Sequence, residues 1–229
     1  MNAAQRFSLR GWSAWAADVE THEQWREWAA NRRVIGDADD VPPLPFIPAL
    51  QRRRFSRLSR LQLQVAYDCA AGRHDLRTIF CSRHGELHRT HGLLAELARG
   101  EPLSPMAFSL SVHNTGSGLY SIASGNTAPS TAIAAGRDTL PMALLEAAGQ
   151  LQRADEVMVV FADEPLPDDY AAFADEHTAA FGLALRLARA GSDGAQLSMA
   201  RVAQTPTDNL TPECTVSRYC ACWPATRRL

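Results

Sequence analysis

Three short runs, LRTIFCS (76–82), STAIAAG (130–136) and EVMVVFAD (156–163), are apolar at almost every position, and stretches with helical spacing separate them. A strand that is apolar on both faces must be covered on both faces, so helices have to lie above and below its sheet. The helical patterns GELHRTHGLLAELARG (85–100) and TLPMALLEAAGQLQ (139–152) supply such layers. Alternation of this kind predicts an α/β fold: a mixed, mostly parallel sheet flanked by helices.

The remaining segments fit around that centre. RFSLRGWSAW (6–15) alternates enough to be a strand, and THEQWREWAA (21–30) reads as a helix with Thr21 as N-cap. DADDVPPLPFIPAL (37–50) contains Pro42, Pro43, Pro45 and Pro48 and is read as an extended loop. Apolar residues at helical spacing then run from Phe55 towards Gly72. SPMAFSLSVHNTGSGLYSIASG (104–125), rich in Ser and Gly, is expected to be one helix packed close to neighbouring backbone. The Ala-rich helix 139–152 is expected to lie deep. Residues 170–181 read as a short helix or a loop insertion. Segments 182–190 and 195–204 read as the two strands of a closing antiparallel hairpin. No internal repeat interrupts 1–229, which is taken as one domain with an unassigned tail at 205–229.

The most informative local feature is APSTAIAAGRDTLPMALLEAAGQL (128–151). A small-residue strand enters a sharp turn, and a helix leaves it. Free N–H groups and the helix dipole at such a turn favour a thiolate and hold a developing oxyanion. The turn, however, holds Gly136, Arg137 and Asp138. A guanidinium stays protonated and cannot act as a nucleophile. Arginine also sits badly at the positive end of a helix, so Arg137 is expected to pair with a buried acid, Asp138 or another. No cysteine lies between Cys81 and Cys214, and no histidine lies near Ser130 or Thr139 in sequence to serve as a base.

Other chemistry is weaker. Cys81, His84, His88 and His91 are ligand types at close spacing, but Cys81 belongs to a buried strand, so no metal site is assigned. Cys220 and Cys222 are too close together for a usual zinc knuckle, with Cys214 the one near neighbour; reduced thiols are the reading for all five cysteines. His113 and Asn114 lie within the small-residue helix, where His113 reads as a buried histidine with a hydrogen-bond partner. A net charge of −2 gives no reason to expect nucleic acid, and QRRRFSRLSR (51–60) reads as the exposed start of a helix. No basic-then-apolar leader and no bilayer-length run are visible, so the expectation is a cytoplasmic protein without membrane insertion.

SPMAFSLSVHNTGSGLYSIASGNTAPSTAIAAG resembles the core of β-ketoacyl synthases. Gly125, Pro129 and Ser130 match the family's G-x-x-x-P-S turn, and Thr131–Ala135 match the strand leading to the active cysteine. RRRFSRLSRLQLQVAYDCA (52–70) is similar to the early helix, and DEVMVVFADE (155–164) to the strand after the nucleophile helix. RFSLRGWSAWA, CSRHGELHRTHGLL and FSLSVHN together resemble a narrower branch, the chain length factors of aryl polyene-type polyketide clusters. The resemblance implies the N-terminal half of a thiolase-like fold. On it, the cysteine position falls on Arg137, and the histidines and lysine of a second half have no counterpart.

The resemblance therefore implies a non-catalytic subunit that pairs with a full-length β-ketoacyl-ACP synthase and shapes the acyl tunnel, meeting acyl carrier protein only indirectly and needing no cofactor. Phe108, His113, Asn114, Ser130, Ile133 and Met158 are the expected interface or tunnel residues. The segment 155–164 is expected near the joined sheet edges. A stand-alone acyltransferase would need a nucleophile with an adjacent base, and a plain scaffolding domain would lack a tunnel; both remain alternatives.

Overall fold

The computed structural model describes residues 4–36, 40–174 and 179–200. Its centre is a six-stranded sheet formed by β1 (Gln5–Ala16), β2 (Arg77–Cys81), β3 (Ser130–Ile133), β4 (Glu156–Asp163), β5 (Phe181–Arg189) and β6 (Ala195–Met199). Their order across the sheet is β3-β2-β4-β5-β1-β6. β3, β2 and β4 run parallel, whereas β5, β1 and β6 join by antiparallel pairings. The sheet is thus mixed as expected, but the balance shifts: three of the five pairings among the described residues are antiparallel.

β4 shows why its sequence is apolar throughout. Val157, Val159 and Phe161 enter one core layer with Leu140, Ala143, Leu144 and Ala147 of α7 (Thr139–Gln150). Met158, Val160 and Ala162 enter the other with Leu58, Leu61, Val65 and Ala66 of α3 (Arg57–Ala70). Period-two alternation sends successive side chains to opposite faces, and both faces are dry.

Local signals start and stop the helices. In α1 (His22–Ala29) the Thr21 hydroxyl accepts from the Gln24 amide, and the Gln24 side chain accepts from the Thr21 amide. The two residues satisfy each other's free donors. The short α2 (Ala49–Arg52) closes the proline-rich loop. α3 is capped by Ser56 and ends where Ala71 and Gly72 turn left-handed. α4 (Leu87–Ala98) follows β2.

Four expectations are corrected. The single helix over 104–125 is two, α5 (Pro105–Ser109) and α6 (Thr115–Ser124). Ser109 and Ser111 bond back to the carbonyls of Met106 and Phe108, which competes with helix continuation, and His113 is drawn to the Ser82 carbonyl. Close packing is present only on α6, where Gly116 lies against the Gln62 side chain; α5 is largely exposed. α7 is buried on one face only, and Met142 and Leu145 on its other face are exposed.

β5 and β6 are not a hairpin. β1 lies between them and pairs with both, because the 190–194 connection carries the chain over β1. Ser8 and Arg10 hold that connection through the Ser192 and Asp193 carbonyls. Finally, β4 is interior to the sheet, with β2 and β5 on its sides, so 155–164 is not an edge. The tail 205–229, with Cys214, Cys220 and Cys222, and His177 lie outside the described residues.

Candidate functional site

β2, β3 and β4 are parallel, so their carboxyl ends open at one end of the sheet. In open α/β sheets that is where ligands and reactive groups gather. Two structures sit there: the strand-to-helix turn after β3, and a polar cluster after β2 and β4.

The turn after β3 is a 3-10 turn, Gly136–Asp138, leading directly into α7. Thr139 organises it. The Ala135 amide donates to Thr139 Oγ1 (3.0 Å), and that hydroxyl donates to the Gly136 carbonyl (2.7 Å). Gly136 has φ 55°, a left-handed conformation that glycine adopts without strain. The approach to β3 is held by buried Asn126, whose Nδ2 donates to Leu76 O and whose Oδ1 accepts from Ala128 N. Arg137 and Asp138 are both exposed, and the Asp138 side chain does not cap α7. The expectation of a buried pair at this turn is therefore corrected: both side chains lie at the surface.

The second cluster was not singled out in the sequence. Asp163, 2% exposed at the end of β4, accepts through Oδ1 from Ser82 Oγ (2.8 Å) and from the Arg83 amide (2.8 Å). Ser82 Oγ also accepts from Gly85 N, and the Ser82 carbonyl is 3.0 Å from His113 Nε2. Because a carbonyl can only accept, His113 donates there. Gly85 has φ 57°, and a Cβ would stand 2.8 Å from His113 Cδ2, so the turn after β2 requires glycine. Glu86 begins α4 and is buried, accepting from Ser56 Oγ (2.7 Å) and Ser59 Oγ (2.6 Å). Burial pushes the Asp163 carboxyl up to about 7 against the opposing pull of its Arg83 and Ser82 hydrogen bonds. Burial also raises Glu164 to about 7; His88 and Arg57 favour its charged form and Glu86 opposes it. The cleft beside these groups is about 10 Å³, far too small for an acyl chain.

The other expected residues are dispersed. Phe108 is 63% exposed on α5, and Asn114 is exposed at the start of α6. Ser130 opens β3 and accepts from Thr78 Oγ1 (2.9 Å); Ile133, half-buried, ends the strand. Met158 is fully buried beneath α3 and offers no surface. Cys81 is enclosed in β2, while His88 and His91 engage Pro165 and Asp169. Among the described residues no group of three or more ligand types can hold a metal ion. Nor is any described helix long and apolar enough to cross a membrane.

Among the described residues β3 is the edge strand of the sheet at this side. Its Pro129 and Ile133 carbonyls accept from Thr78 N and Ser82 N of the β2 segment. By strand alternation, the backbone groups of Ser130 and Ala132 face away from β2. α6 and α7 both lie against β3 and carry the exposed side chains Ile122 (83%), Met142 (41%) and Leu145 (53%).

A mixed six-stranded sheet flanked by helices is the fold shared by thiolase-like ketosynthases. The model of the β-ketoacyl synthase N-terminal domain matches residues 25–223, and the chain belongs to that family. A ketosynthase in complex with its chain length factor, ApeO with ApeC from Xenorhabdus doucetiae, superposes with TM-score 0.74 at 27% identity, over 80% of this chain and 79% of that one. The ishigamide ketosynthase/chain length factor has TM-score 0.63 at 18% identity, over 82% of this chain and 63% of that one. The ketosynthase of module 1 of the bacillaene synthase of Bacillus amyloliquefaciens shares the fold at TM-score 0.60 and 15% identity. There the chain covers 42% of the longer protein. No curated protein matches the sequence significantly.

Proposed function

We propose that the chain is a non-catalytic, chain length factor-type subunit that pairs with a full-length β-ketoacyl-ACP synthase of an aryl polyene-type system. The observation that carries this reading is the turn after β3. The position where the family resemblance puts a cysteine holds exposed Arg137, which cannot attack a carbonyl. The two described cysteines do not replace it: both are buried, and burial pushes Cys69 up to about 12 and Cys81 well above its ordinary range. A thiol held protonated is a poor nucleophile.

The partner supplies the thiolate and the condensation, and this chain supplies shape. The polar cleft cannot hold an acyl chain, so an acyl tunnel requires walls from a second subunit. The β3 edge, flanked by Ile122, Met142 and Leu145, is the surface for that union. Strand addition there satisfies the outward backbone groups of Ser130 and Ala132 and covers the apolar side chains around them. Arg137 stands at the same end of the sheet as the proposed tunnel, and Phe108 and Asn114 are the exposed positions offered to it. Acyl carrier protein meets the partner.

The test is co-expression with the ketosynthase of the same biosynthetic cluster. The complex should condense acyl and malonyl carrier proteins, and this chain alone should not. Ketoacyl product from the purified chain alone would overturn the reading.

A further inference from the structure

The segment after β4 carries a feature that the ketosynthase reading does not use. Residues 164–173 leave Asp163, pass Pro165–Leu166–Pro167, and form a 3-10 turn over Asp168–Phe173. Two histidines one turn apart on α4 hold this segment. His88 Nε2 lies 2.7 Å from the Pro165 carbonyl, and His91 Nε2 lies 2.8 Å from Asp169 Oδ2. Both partners are acceptors, so both histidines donate. The Tyr170 ring adds an edge contact to His91. The segment is therefore a strap laid across the carboxyl ends of β2 and β4, fixed at two points.

Its root is acidic. Asp163 Oδ1 is satisfied by Ser82 and Arg83, but Asp163 Oδ2 is buried without a hydrogen-bond partner among the described residues. Glu164 follows at once and feels the buried Glu86 carboxylate. The groups that favour charge here are Arg83 for Asp163, and His88 and Arg57 for Glu164; Glu164 opposes it for Asp163, and Glu86 for Glu164. His84 lines the same cleft, Arg89 faces Glu86 at 3.6 Å, and the strap's own Asp168 and Asp169 are exposed.

We propose that residues 164–173 form a pH-responsive strap, clamped on α4 by His88 and His91, which opens when Asp163 and Glu164 become charged. While both acids are neutral they set no charge against Glu86, and the strap is seated. Ionisation sets Glu164 against Glu86 and charges Asp163, whose Oδ2 has no hydrogen-bond partner among the described residues. Moving Glu164 and the strap beyond it outward lets water reach both carboxylates while β4 stays paired. Burial raises both acids to about 7, which sets the transition near neutral pH.

The experiment is hydrogen exchange by mass spectrometry on the full chain, alone or in its ketosynthase complex, at about pH 6 and about pH 8.5, corrected for intrinsic rates. Peptides from 164–173 should lose protection by about tenfold at the higher pH, while β2 and β4 keep theirs. The Asp163→Asn, Glu164→Gln double variant should abolish the difference. Glu164→Gln alone, which leaves the Ser82 and Arg83 bonds intact, should shrink it. Equal protection at both pH values, equal loss in β2 and β4, or an undiminished difference in both variants would overturn the proposal. The outcome does not depend on whether the chain partners a ketosynthase.

Discussion

Ser82 Oγ donates to Asp163 Oδ1 at 2.8 Å, joining the ends of two neighbouring parallel strands, β2 and β4, through side chains where the ladder stops. The bond holds a carboxylate in a place where water does not reach it. Asp163 is raised from an ordinary 3.8 to about 7 in the folded chain. A raised acid contributes stability that is complete below its unfolded pKa and is lost as pH rises through the folded value.

The wild-type chain should accordingly lose stability between about pH 4 and pH 7, relative to Asp163→Asn, by up to ~4 kcal/mol. Urea midpoints of the two proteins across that range check this. Parallel curves would show that Asp163 is not neutral in the folded state at low pH.

Gly85→Ala should destabilise the fold by about 1–3 kcal/mol, because φ 57° is strained for alanine and its Cβ would press on His113. Combining it with His113→Ala should remove the contact but not the backbone strain. The double-variant cost should therefore be less than the sum of the single costs.

Glu156 receives Arg73 at 2.8 Å, Arg186 at 3.3 Å and Arg10 at 3.5 Å, tying the start of β4 to β5, β1 and the turn before β2. Its side chain is mostly enclosed, while Arg73 is partly exposed. Glu156→Gln should cost roughly 2–3 kcal/mol, less than a fully buried pair. Thermal unfolding of the variant measures it, and an unchanged midpoint would mark the cluster as a surface network.

Arg137→Ala, by contrast, should change stability by less than about 1 kcal/mol, since the side chain is exposed. Denaturant midpoints of the two proteins test this.

The parts of the fold legible in the sequence are those set by local pattern. β4 ends where EVMVVFAD ends because both its faces are dry, and α1 starts at Thr21 because the cap residues are adjacent. The β3 turn was legible as a turn, but the surroundings of Arg137 were not, because exposure depends on packing. The placement of β1 between β5 and β6 joins residues about 180 positions apart, and no local period encodes that. The break at 110–114 depends on His113 reaching Ser82, again a distant contact. Asp163 closes the run EVMVVFAD, which reads as a buried strand. The signal that could have marked it is that SRHGE and DEP both follow apolar parallel strands, where carboxyl ends converge.

A partnership through the β3 edge depends on the outward backbone groups of Ser130 and Ala132. Ala132 turns its backbone away from β2, so Ala132→Pro removes an outward N–H without breaking a bond to β2. In co-purification with the ketosynthase, the wild-type chain should elute as a stable heterodimer or a dimer of heterodimers. Ala132→Pro should keep the fold by circular dichroism and lose the complex. A folded Ala132→Pro chain that still binds the ketosynthase would contradict the edge, and a wild-type chain that elutes as a soluble monomer and ignores the ketosynthase would contradict the partnership itself.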